Sequence, residues 1–232
     1  MEKRRPLAGM RKTIAQRMRL SLDTAAQASH HVRVDMSALI KARAAYNAAH
    51  PEDKVSVTDI LVSCTADALR RNPSLNVSLQ EKEIVAYEEI HIGVAVAVEN
   101  GLVVPVVRDC GGKSIPAIHS ELRELVRRVR EKRFTPADIT GGTFTVTNLG
   151  MYGIDGFTAI INPPEAAILA VGATSRQPVV RDGDIVVRDV CELTLTYDHR
   201  VVDGAPAAQF LSDLRGIIEN FSAVEQRPET GA

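Results

Sequence analysis

Leu193-Thr194-Leu195-Thr196-Tyr197-Asp198-His199-Arg200-Val201-Val202-Asp203-Gly204 is the stretch on which the reading of this chain turns. Leu193–Tyr197 is rich in β-formers and reads as a buried strand, the last of the chain. Ala205–Asn220 carries a helical pattern and reads as the last helix. His199 therefore stands where a strand runs out and a helix begins, a place where a rigid scaffold holds a reactive side chain. An imidazole titrates near neutrality and can take a proton from a thiol. A His beside an Asp is weak evidence alone, because satisfied core or surface histidines are commoner.

Working outward, Thr143–Thr147 and Ala167–Val171 read as buried strands. Asp182-Gly183 closes a hairpin between Val179–Arg181 and Ile185–Val187. Leu75–Leu79, Ile84–Tyr87, His91–Val98 and Leu102–Val107 are short β-rich runs, with Asn100-Gly101 as a second hairpin signal. Ser114–Arg133 is a helix with Ile115, Ile118, Leu122, Leu125 and Val129 on one face, and its arginines suit a solvated face better than phosphate contacts. Towards the N-terminus, Met10–Ala28 spaces Ile14, Met18 and Leu22 as an amphipathic helix. Val32, Val34 and Met36 alternate with Arg33 and Asp35 as a strand, and helices follow at Ser37–Ala49 and Thr58–Arg71, the second ended by Asn72-Pro73. Strands and helices interleave without strict βαβ alternation, which predicts one mixed-sheet α/β domain over 1–232.

Composition narrows the function classes. The 45% apolar and 25% charged residues are those of an ordinary globular chain. A net charge of −1 gives no whole-molecule attraction to nucleic acid, and no nucleic-acid motif is present. No run approaches the roughly 18 apolar residues of a membrane span. Cys64, Cys110 and Cys191 are widely spaced without a C-x-x-C pair, which suits a reducing, cytoplasmic setting, and no metal site is expected.

The longer string Asp198-His199-Arg200-Val201-Val202-Asp203-Gly204 closely resembles the signature of the 2-oxo acid dehydrogenase acyltransferases. Arg11-Lys12-Thr13-Ile14-Ala15-Gln16-Arg17-Met18 is similar to that family's first helix, and Val34-Asp35-Met36 to its first strand. Gly101–Val106, Gly141–Gly150 and Asn162-Pro163-Pro164-Glu165 resemble its central blocks. These blocks run in family order over nearly the whole chain. The resemblance implies a two-layer α/β sandwich with a mixed sheet, of the chloramphenicol acetyltransferase type. It further implies acyl transfer, with acetyl favoured, between a lipoyl thiol and coenzyme A. The lipoate would be carried on a domain outside this chain. Partners so implied are a lipoyl domain and the E1 and E3 components, and the active sites would lie between subunits of a homotrimer. A small-molecule O-acetyltransferase on the same fold and an inactive structural core are the alternatives; retention of His199, Asp203 and a hydroxyl at Thr147 counts against the second.

By the same resemblance His199 is the base and Asp203 the second active-site position, with an orienting or salt-bridged carboxylate as the reading of the residue itself. A buried Asp203 would need a counter-charge, for which Arg11 and Arg17 are candidates. Thr147 matches a position usually held by serine, the donor to the oxyanion. Threonine keeps the hydroxyl but adds a methyl group. Arg43, Ser56, Thr147, Asn148 and Gly172 match coenzyme A contacts. Each also has a plainer reading: Arg43 a solvated helix residue, Ser56 a helix N-terminal neighbour, Gly172 a strand end and Thr147 a strand former. A family aspartate falls on Ala97 and is absent. Family cages are joined by an apolar C-terminal tail, yet after Val224 no large apolar residue remains, so a trimer is expected, with Phe221 and Val224 as at most a reduced knob.

Overall fold

The computed structural model describes residues 2, 4, 6–99 and 101–224. A seven-stranded sheet runs in the order β1 (Gln27–Asp35), β11 (Asp184–Asp198), β9 (Ala167–Val171), β8 (Phe144–Asn148), β4 (Ile92–Val94) and β7 (Val106–Val107), with β10 (Ser175–Arg181) paired to β11. β8 is parallel to both β4 and β9, and the other pairs are antiparallel, so the sheet is mixed as expected. Two ribbons stand apart from it, β2 (Val77–Gln80) with β3 (Glu83–Ala86), and β5 (Val96–Val98) with β6 (Gly101–Val103). The expected hairpin at Asn100-Gly101 is the second ribbon, although Asn100 lies outside the described residues.

Side-chain alternation makes the two faces of the sheet different. Val34, Leu193, Leu195, Leu169, Val171, Phe144 and Val146 join one core with α2 (Ser37–Ala49), α3 (Val57–Arg71), α4 (Ile115–Arg130) and α6 (Gly204–Glu219). The other face carries Ser29, His31, Thr194, Thr196 and Thr145. There Ser29 Oγ bonds Thr196 Oγ1 at 3.1 Å, and His31 Nδ1 bonds Thr194 Oγ1 at 2.9 Å. α4 buries the five apolar residues expected of it, each worth roughly 1.5–3 kcal/mol on leaving water.

Several boundaries differ from the sequence reading. α1 (Gly9–Thr24) stops four residues before Ala28, because the backbone of Gln27–His31 pairs with Leu195–Asp198 and Thr194 and so extends β1 backwards. Ladder bonding overrides the weak β-propensity of Gln-Ala-Ser-His-His. Ile185–Val187 and Leu193–Tyr197 are one continuous strand, since β10 holds its first half and β1 and β9 its second. A one-turn helix, α5 (Pro136–Ile139), was not anticipated; Thr135 and Asp138 form its capping box. At the C-terminal end Val224 is 2% exposed in this chain's own core, and Phe221 is partly buried against that core. The remaining tail lies outside the described residues.

Candidate active site

The turn after β11 is held by Asp198. Its Oδ1 accepts from the backbone N–H of Ala26 at 3.2 Å and of Arg200 at 3.1 Å. The Arg200 guanidinium grips the same carboxylate, with Nη2 to Oδ2 at 2.6 Å. Burial pushes this carboxyl up, but the bonds from Arg200 outweigh it and hold the group below its ordinary value. The Asp198 N–H donates to Ala166 O at 2.8 Å and the His199 N–H to Ala26 O at 2.9 Å. His199 is thus fixed through its backbone while its imidazole is about half exposed, with the Tyr197 ring 5.7 Å away. For this clasp the sequence offers only the motif, with an Asp two residues before an Arg where the strand ends.

Asp203 occupies the N-cap position of α6 without making a cap bond. Its carboxylate is 84% exposed and 3.9 Å from His199 Nδ1, too far for a hydrogen bond. The expectation of a buried Asp203 paired with Arg11 or Arg17 is therefore corrected for the single chain. Exposure removes the need for a counter-charge, and Arg17 instead donates to Asn162 Oδ1 at 3.0 Å and Pro163 O at 2.6 Å. That contact lies beside Glu165, whose carboxylate accepts from Thr145 Oγ1 at 2.5 Å and Asn162 Nδ2 at 3.0 Å. Burial pushes Glu165 up to about 7, and the two bonds and the Arg17 charge offset only part of that.

Thr147 and Asn148 end β8 and open onto a cleft of about 740 Å³ together with Ser56, Thr58, Asp59 and His119. Val94, Val96, Leu102, Leu122, Val126 and Met151 make its walls largely apolar. Ser56 caps α3, accepting from the Asp59 N–H at 3.1 Å while Asp59 Oδ2 accepts from the Ser56 N–H at 2.6 Å, a reciprocal cap worth about 1 kcal/mol. Asn148 reaches from the strand to Thr58 Oγ1 at 3.2 Å and accepts from the Gly150 N–H at 2.8 Å. Ala97, standing where an aspartate was looked for, also lines this cleft.

Two expected ligand contacts have other duties in the chain. Arg43 donates to Val55 O at 3.0 Å, which steadies the segment leading into Ser56. Gly172 is a glycine because a Cβ there would lie 1.8 Å from Asp155 O, a backbone clash that needs no ligand to explain it. Burial pushes the Cys110 thiol up to about 12 and Cys191 up to about 11, so neither is a ready nucleophile near neutral pH.

His199 and Thr147 do not meet within the chain. Thr147 is level with Ala170, and Ala170 with Thr194, whereas His199 lies five residues further along β11 and two strands across. Strand rise and spacing put them roughly 20 Å apart.

Residues 1–225 match the family model described as the 2-oxoacid dehydrogenases acyltransferase (catalytic domain). The chain belongs to this family. Among similar acyltransferases, the crystal structure of a probable dihydrolipoamide acetyltransferase from Listeria monocytogenes superposes with a TM-score of 0.92 at 33% identity, covering 98% of both chains. The dihydrolipoyllysine-residue acetyltransferase component of pyruvate dehydrogenase complex from Rhizobium meliloti is 41% identical over 221 residues, 93% of this chain and 49% of that one. The corresponding component of the acetoin cleaving system of Bacillus subtilis is 37% identical, over 94% of this chain and 56% of its own. The chain thus spans about half the length of the curated relatives it matches. Chloramphenicol acetyltransferase, at 14% identity and a TM-score of 0.57, shares the fold alone. Among the described residues no helix is long and apolar enough to cross a membrane.

Proposed function

We propose that this acyltransferase domain moves an acetyl group between a lipoyl thiol and coenzyme A, in a site built from two copies of the chain. The observation that carries the reading is the roughly 20 Å between the exposed motif imidazole of His199 and the Thr147 hydroxyl in the cleft. A base and an oxyanion donor must lie within hydrogen-bond reach of one reacting centre, so His199 of one copy must face Thr147 of the next. Three copies around an axis is the arrangement the family resemblance favours, and it needs only one kind of heterologous interface.

The cleft fits the pantetheine arm of coenzyme A: long, apolar-walled, with polar groups at Ser56, Thr58, Thr147 and Asn148. In the direction from acetylated lipoyl group to coenzyme A, His199 takes the proton of the attacking thiol. The sulfur bonds to the acyl carbon, the older C–S bond breaks, and His199 returns the proton to the departing sulfur. Thr147 donates its hydroxyl to the acyl oxygen while that oxygen carries charge. Asp203, exposed in one chain, would be enclosed by the neighbouring copy and there face the ring it accompanies. Acetyl is favoured because the relatives named above act in pyruvate dehydrogenase and acetoin systems. A lipoyl domain and the partner enzymes of such a complex are the partners of the whole protein. Three buried cysteines, none in a disulfide, suit the cytoplasm.

The test is transfer from acetyl-coenzyme A to dihydrolipoamide, with chloramphenicol as the competing acceptor. His199→Ala should lower the dihydrolipoamide rate at least ~10²-fold with the assembly intact. A variant keeping more than half of the wild-type rate would end the assignment.

A further inference from the structure

His119 is a member of the cleft wall that neither the motif nor the mechanism uses. It lies on the second turn of α4, and its side chain is only 12% exposed. Its Nδ1 donates to Asp59 Oδ2 at 2.9 Å, the same oxygen that accepts the Ser56 N–H, and its Nε2 stands 3.6 Å from Asp53 Oδ1. Arg123, one turn along α4, reaches the same Asp53 oxygen at 3.3 Å. Asp59 is itself 2% exposed. A ring with one nitrogen bonded to a buried carboxylate and the other directed at a second is a brace, with little freedom to seek a ligand.

The brace joins two parts of the cleft lining: the first turn of α3 with Ser56, Thr58 and Asp59, and the α4 face with His119, Leu122, Arg123 and Val126. Apolar side chains of both helices also join the common core. A hydrogen bond to a buried carboxylate is directional and charge-assisted, and so fixes the separation. Asn148 ties the same α3 turn to β8 through Thr58, placing Ser56, Thr58 and Thr147 in one frame.

We infer that His119 is a positioning residue for coenzyme A, which sets the width of the cleft by bracing α4 against the Ser56–Asp59 cap of α3. The inference rests on the proposed reading of the cleft as the coenzyme A site. The lipoyl thiol would approach from the His199 side, so the brace acts on one substrate and not the other.

Steady-state kinetics of the intact assembly test it. His119→Leu fills the space without a donor, and should raise the KM for coenzyme A about fivefold, the net scale of one ordinary hydrogen bond. Its kcat and its KM for dihydrolipoamide should stay within about twofold of wild type, and His119→Gln, whose amide can donate to Asp59, should recover most of the loss. Asp53→Asn, at the exposed end of the brace, gives an independent smaller rise should the leucine variant not fold. An unchanged KM for coenzyme A, or equal shifts in kcat and both KM values, would overturn the inference. Calorimetric titration of coenzyme A reads the same brace without turnover: weaker binding to His119→Leu supports it even if wild type transfers no acetyl group, and equal binding refutes it.

Discussion

If the site is shared, two dead variants should rescue one another. His199→Ala removes the base and leaves Thr147; Thr147→Val removes the donor and leaves His199. Each homogeneous assembly should retain roughly 1% of wild-type turnover or less, from the loss of one catalytic group. In a ring each site takes His199 from one subunit and Thr147 from its neighbour. In a random equal mixture a site is whole only when the first subunit is the Thr147→Val chain and the second the His199→Ala chain. That combination has a chance of about one in four in any closed ring. Co-refolding the variants should therefore restore about a quarter of wild-type activity, rising and falling with the mixing ratio and peaking at equality. The assay is acetyl transfer to dihydrolipoamide before and after subunit exchange, with tagged subunits to verify mixing. Verified mixing with activity still near 1% would mean that base and donor act within one chain, and the separation read from the strand register would be wrong.

Four further outcomes follow from the geometry. Thr147→Ser should remain active, because the hydroxyl is kept and only a methyl group is lost, whereas equal activity of Thr147→Val would move the donor elsewhere. Asp198→Asn weakens the clasp on Arg200 and should cost about 2 kcal/mol, a drop in Tm of roughly 6 °C by calorimetry; no drop would mean that the turn is held by its backbone bonds alone. Glu165 is raised from 4.5 to about 7, so the stability of its neutral form is fully present below the lower value and is lost as pH rises through the upper. Denaturant titrations from pH 4.5 to 7.5 should show wild type losing about 3 kcal/mol relative to Glu165→Gln, and parallel curves would refute this. With Val224 and Phe221 folded into their own chain, light scattering at micromolar concentration should find a trimer, and a particle of many trimers would refute the tail argument.

Elements with a strong apolar period were legible in advance. α2 and α4 came out where expected, and in α4 five apolar residues on one face leave a helix little choice. The start of β1 was not legible, because Gln27–His31 owes its strand conformation to a partner over 160 residues away. α5 escaped notice because one turn has no period to read, only a cap. Within the site, the motif located His199, and the cleft gathered Ser56, Thr147 and Asn148. The separation of His199 from Thr147 depends on which way each strand runs, which no local pattern carries. The His119 brace was equally hidden, as it joins three stretches each unremarkable alone.

β11 is the longest strand among the described residues. Fifteen residues of unbroken strand span about 50 Å, with His199 just past one end and the Asp182-Gly183 turn just before the other. Every residue of that turn is exposed, and beyond Arg181 and Asp184 no backbone bond of the ladder remains to be broken. A peptide tag or fluorophore spliced between Asp182 and Gly183 would hang a whole strand's length from the imidazole. Labels placed there would let subunit exchange and assembly be followed in real time on enzyme whose chemistry they leave alone.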